Sequence, residues 1–156
     1  SGSKSSLFIA GIVMACAIAL HNLPEGMVIG ASFASNSGAA VFSGSGMLMA
    51  VIIGLHNIPE GMAVSVPLIS GGMSRVRAVV ITALSGAPTI LGALAGYYIG
   101  TLGSLGLSLS LSFASGAMLY VVFGELMPEA ILMWRSKMPA FLMLVGILTG
   151  ILIIFA

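Results

Sequence analysis

His21-Asn22-Leu23-Pro24-Glu25-Gly26 lies in the middle of one long apolar run, and His56-Asn57-Ile58-Pro59-Glu60-Gly61 lies in the middle of the next. The two hexapeptides differ only in Leu23 against Ile58. A looser match continues beyond them, as GMVIGASFA against GMAVSVPLI, so a polar motif is repeated inside two otherwise apolar segments. Each segment is about as long as the roughly 20 apolar residues that cross a bilayer. What surrounds the motifs decides the fold class, and what they contain decides the chemistry.

Of 156 residues, 59% are apolar and 6% are charged. A water-facing domain carries about 25% charged residues, so this chain must present apolar surface to lipid. The net charge of +1 comes without any basic tract, which leaves nucleic acid an unsuitable partner. The single cysteine, Cys16, has no partner within the chain and reads as a small buried residue. Ser1 to Ser6 is too short and polar for a signal peptide and resembles the end of a loop, so the chain reads as part of a longer protein.

The pattern predicts an all-α integral membrane protein, one transmembrane domain over 1–156. Its five helices fall at about 7–33, 46–69, 76–99, 107–129 and 139–156. A Ser-, Gly- and Asn-rich stretch from Ala34 to Ser45 separates the first two. Glycine and proline within the runs are no obstacle, because both are common in membrane helices. The basic residues Lys4, Arg75, Arg77, Arg135 and Lys137 all fall on one side of a five-span chain, and the loops on the other side are uncharged. The positive-inside rule then puts the N-terminus in the cytoplasm and the C-terminus outside. Tyr97, Tyr98 and Trp134 stand near the expected span ends, as interfacial anchors do.

All four acids, Glu25, Glu60, Glu125 and Glu129, lie within the expected spans. A carboxylate at that depth costs a few kcal/mol on insertion scales and needs a partner. In each hexapeptide the His and Glu are four apart and share one helical face, with the Asn on the same side. Pro24 and Pro59 cannot donate to the carbonyls of Leu20 and Leu55, which predicts bent helices with room beside the motif. Antiparallel spans with both motifs at mid-membrane bring the sets to one depth. Two imidazoles, two carboxylates and two amides suit zinc, iron(II) or manganese, and the two glutamates balance one divalent charge. A His–Glu pair can also do no more than tie a bundle together, but two near-identical copies, each with a proline, argue against so plain a role. The spacing is not that of an HExxH hydrolase.

At these residues the sequence resembles the ZIP family of metal transporters, whose fourth and fifth helices carry motifs of the form HNxPEG. The resemblance implies that the five spans match the last five of an eight-helix transporter arranged as 3+2+3. It implies His21, Asn22, Glu25, His56, Asn57 and Glu60 as the metal ligands, with the Asn side chains the weaker ones. Ser85-Gly86 looks like the start of the family's sixth helix, where many members follow with a glutamate that helps hold a second metal; Thr89 stands at that position here. GAMLYVVFGELMPEA resembles the seventh helix and implies an exit pathway at Glu125, with Glu129 one turn on. Gly124 stands where some members have a histidine or an acid.

The reading is therefore transport, not enzymatic catalysis: a divalent cation, zinc or else iron, manganese or cadmium, carried toward the cytoplasm across the plasma membrane. The metal is the transported ligand and no cofactor is expected. The partners implied are the bilayer and either the missing three N-terminal helices or a second copy. The alternatives are a membrane-embedded metallohydrolase, which would use the same metal to activate water, and a noncatalytic structural subunit with buried polar pairs. Gly92 and Gly96 form a GxxxG-like pair that reads as helix packing, and Met27, Met49 and Met62 read as packing rather than as a soft-metal path.

Overall fold

The computed structural model describes residues 2–35 and 44–155. Most of the polar stretch expected at 34–45 lies outside them. The described residues form α1 (Gly2–Ala34), α2 (Ser45–Ser70), α3 (Arg75–Gly86), α4 (Pro88–Thr101), α5 (Ser104–Tyr120), a π-helical turn (Val121–Leu126), α6 (Met127–Met133) and α7 (Met138–Phe155), with no strand among them. Four stretches, Lys4–Ala34, Ser45–Ser70, Arg75–Thr101 and Ser104–Gly124, are long and apolar enough to cross a membrane. The apolar helix α7 holds 18 residues, near the lower end of the roughly 17–25 that a span needs. The protein is an all-α membrane protein.

Two of the expected helices are interrupted, and proline accounts for both. The helix expected over 76–99 is two, α3 and α4, meeting at Ala87. Pro88 has no N–H for the carbonyl of Leu84, so the chain tightens: Ala87 N–H donates to Leu84 O at 3.1 Å, and α4 starts afresh with Pro88 at its first turn. The helix expected over 107–129 changes pitch at Val121–Leu126, where Met127 N–H reaches back five residues to Val122 O. Pro128 can make no bond to Gly124 O, and a π-helical turn absorbs the misfit. In contrast, α1 and α2 run on through Pro24 and Pro59 without a break.

The chain forms two compact units, Ser1–Ala117 and Met118–Ala156. In the first, α1 packs most extensively on α4 and next on α2, with α3 touching both α1 and α2. Glycine sets the α1–α4 distance. A Cβ added at Gly26 would lie 2.8 Å from Ala93 N, and one at Gly96 would lie 2.7 Å from Met27 Cα, so the two backbones touch. Gly30 and Gly92 sit in equally close contact with the facing backbone. Small residues let membrane helices approach in this way, and Met27 is buried as packing. Towards the end of the bundle that bears Arg75, Ala15, Val64, Leu68 and Ala78 make a small core flanked by Ile12, Ile18 and Ile81. Gly72, at φ +100°, turns the chain from α2 into α3, and Gly103, at φ +111°, turns it from α4 into α5; a side chain would be strained at either.

Cys16 is exposed, contrary to its expected burial. The buried stripe of α1 runs through Gly11, Ala15, His21, Asn22 and Glu25, and Cys16 falls beside it. The outward face is largely apolar: Leu20 is 76% exposed and Leu105 72%, as lipid-facing side chains should be. In the second unit, α6 packs on the π-helical turn and on α7.

Candidate metal centre

The i, i+4 spacing in α1 stacks His21 over Glu25, and the same spacing in α2 stacks His56 over Glu60. Because α1 and α2 lie side by side, the two pairs meet. His21 Nε2 is 3.2 Å from Glu25 Oε1 and 3.3 Å from Glu60 Oε1; His56 Nε2 is 3.3 Å from Glu60 Oε1 and 3.7 Å from Glu25 Oε1. One ligand atom from each residue lies within 4.8 Å of all the others.

The four His–Glu distances are also compatible with a shared cation. Zinc holds nitrogen and oxygen ligands at about 2.0–2.2 Å, so the edges of a tetrahedral site are about 3.4 Å. Three of the four His–Glu distances fall within 0.2 Å of that edge and the fourth within 0.3 Å. Glu25 Oε1, although close to both imidazoles, has no hydrogen-bond partner. Two carboxylates and two imidazoles supply the charge and the ligand types of a divalent zinc-like site.

The asparagines stand in different relations to this cluster. Asn57, oriented with its nitrogen toward the carboxylates, donates to Glu25 Oε2 at 3.0 Å, Glu60 Oε2 at 3.3 Å and Ile53 O at 3.2 Å. It ties the two glutamates together through the oxygens that do not face the imidazoles. Asn22 donates from Nδ2 to Ser85 O at 2.9 Å, and its Oδ1 is buried without a partner. Ser85 is thus the site neighbour that residue patterns did not single out in this role. The available signal was Pro88, which disturbs the helical hydrogen bonding just where the Ser85 carbonyl is used. Thr89, whose backbone abuts Gly26, keeps its hydroxyl buried and unpartnered.

Burial divides the site. His21 is 5% exposed and Glu25 0%, whereas the His56 side chain is 54% exposed and that of Glu60 16%. The site is closed behind α1 and open beside α2. His21 Nδ1 is buried without a partner, so its ring is positioned by packing and by the cluster itself. Glu125 lies in the π-helical turn and Glu129 in α6, both in the second unit; their side chains are outside the described residues.

Comparison with known proteins agrees with this chemistry. The family described as ZIP Zinc transporter matches residues 1–156. The chain is 40% identical over 124 residues to a zinc transporter GufA of Myxococcus xanthus, covering 78% of this chain and 46% of that one. It is 40% identical over 147 residues to the zinc transporter ZIP11 of Bos taurus (93% of this chain, 42% of the other) and 44% identical over 130 residues to a zinc transporter ZupT of Chlorobium luteolum (82% and 47%). The chain thus spans less than half the length of these curated relatives. No solved structure matches it significantly.

Proposed function

This chain belongs to the ZIP zinc transporter family, and from that premise we propose that it carries a divalent cation, zinc first, through the cluster of His21, Glu25, His56 and Glu60. The observation that carries the proposal is the convergence of one ligand atom from each of two imidazoles and two carboxylates within 4.8 Å of one another, on two apolar helices. The ion would lose water stepwise to these four groups. Asn57 would hold the carboxylates in place, and Asn22 would offer its free Oδ1 as a weaker ligand. Glu125 and Glu129 would receive the ion farther along. Residues 1–156 act in this reading as one transmembrane domain. It has the N-terminus in the cytoplasm and the C-terminus outside, and it carries the ion inward across the plasma membrane. The charge placement supports that orientation. The half-length match supports a partner in three further helices or in a second copy.

The family consists of transporters, so the hydrolase alternative is set aside. A purely structural role for the His–Glu pairs remains testable. Zinc titration of the detergent-purified chain, beside a His21→Ala/His56→Ala variant, should give saturable binding that the variant loses. A folded wild-type chain and variant with the same zinc binding would overturn the site. If the site holds, flux of zinc into liposomes by the full-length protein, abolished by the same double substitution, tests transport itself.

A further inference from the structure

The second unit contains a cavity of its own. It measures about 520 Å³ and is walled by Val122, Ala130, Trp134, Met138, Leu142 and Met143, with scarcely any polar lining. Trp134 and Met138 bracket the segment that joins α6 to α7, and between them stand Arg135 and Lys137, both exposed. The Ser136 hydroxyl accepts from Met138 N–H at 3.1 Å, so this short connection is held at the start of α7, with the two cations adjacent in sequence to the lining residues Trp134 and Met138.

We propose that this cavity binds an anionic glycerophospholipid. One acyl chain lies between the π-helical turn, α6 and α7, and the phosphate sits against Arg135 and Lys137. Three features select this occupant. The lining is apolar enough for hydrocarbon and offers nothing to a polar ligand. The volume is within the roughly 300–1,000 Å³ of small-ligand sites but would hold only about one turn of a helix 10 Å across, so a flexible chain fits where a packed helix does not. The segment beside the cavity is basic and lies at the end of a span, where each Lys/Arg side chain near the membrane surface adds to the attraction for anionic headgroups. A zwitterionic lipid meets the same apolar wall but gains nothing from the two cations.

Trp134 is the only tryptophan in the chain. It forms part of the cavity wall and is 68% exposed, so its fluorescence reports on lipid at the cavity mouth against the background of bulk lipid measured with phosphatidylcholine. The chain is reconstituted in phosphatidylcholine vesicles containing a small, rising fraction of phospholipid with brominated acyl chains, which quench indole on contact. Brominated phosphatidylglycerol should reach half-maximal quenching at a mole fraction on the order of tenfold lower than brominated phosphatidylcholine. Arg135→Gln/Lys137→Gln, a change in an exposed loop, should make the two lipids equal. Ala130→Phe, which fills the cavity and leaves the charges, should lower the maximal quenching by both. Equal quenching of the wild type by the two lipids would overturn the proposal, as would a preference that survives loss of both cations. Trp134 that neither lipid quenches would place protein, a second copy or another segment, over the cavity, and would overturn it too.

Discussion

The two HNxPEG hexapeptides are nearly the same sequence in two different environments. In α1 the His and Glu are almost wholly buried; in α2 the same His has a half-exposed side chain and the Glu is partly open. The cause is in the neighbours. α1 is packed on α2 along one side and on α4 along another, with α3 closing part of the remainder. α2 makes its principal contacts on the α1 side. Equivalent ligands therefore differ in what they can do. The α1 pair is shielded from competing water, so its interactions with a cation are strong. The α2 pair is more open to the surroundings.

The comparison makes predictions of decreasing size. Removing a carboxylate should matter more in α1, where no water can replace it. Glu25→Gln should weaken zinc binding by more than the roughly 10–100-fold typical of outer-shell changes, and Glu60→Gln should weaken it by less. Calorimetric titration of both variants measures this, and equal losses would break the asymmetry. Asn57 bonds both carboxylates through the oxygens turned away from the imidazoles. Asn57→Ala should reduce affinity by about 10–100-fold, while Asn22→Ala, which frees Ser85 O, should show chiefly as a stability loss of about 1–2 kcal/mol. Thermal unfolding beside titration separates the two effects.

The final glycine of each motif sharpens the contrast further. Gly26→Ala drives a methyl group into the backbone of α4 and should destabilise by about 1–3 kcal/mol. Gly61→Ala meets only the Thr82 methyl at 3.3 Å, and the gain in helix propensity of up to about 1 kcal/mol should offset that contact. The melting temperatures should fall for the first and stay nearly unchanged for the second. The smallest effect is kinetic. Diethyl pyrocarbonate should modify His56 faster than His21 in the metal-free chain, and zinc should protect both; equal rates would mean that α2 is as covered as α1. Across all variants that still bind, affinity should fall as pH is lowered, because imidazole and carboxylate bind metal only when deprotonated.

Much of this was legible from residue types. The low charge content led to membrane helices, and stretches long and apolar enough to cross a bilayer stand at Lys4–Ala34, Ser45–Ser70 and Arg75–Thr101, the last broken at Ala87. The repeated His and Glu at i, i+4 pointed to the cluster that forms. What patterns did not reveal were the breaks at Pro88 and Pro128. A proline in a membrane helix can be absorbed, as Pro24 and Pro59 are, or can end a helix, and the choice depends on what else the freed carbonyls bond to. The use of Asn57 as a clamp on the carboxylates was equally hidden, because spacing puts the amide on the right face without saying which of its atoms points at which partner. Cys16 was misjudged for a related reason: in a membrane helix the outward face is as apolar as the inward one, so hydropathy does not separate them.

The residue order alone determined that this chain is built of apolar membrane helices and that two copies of one motif each carry a His and a Glu four apart, the residue types of a divalent-cation site. These properties depend on composition and on the helical repeat, which any segment carries with it. Only the tertiary structure decided that one copy is sealed and the other open. That difference arises from contacts between residues more than 60 positions apart, such as Asn22 with Ser85 at a separation of 63 and Gly26 with Ala93. No local pattern specifies them, because burial belongs to the neighbours a helix acquires and not to the helix itself.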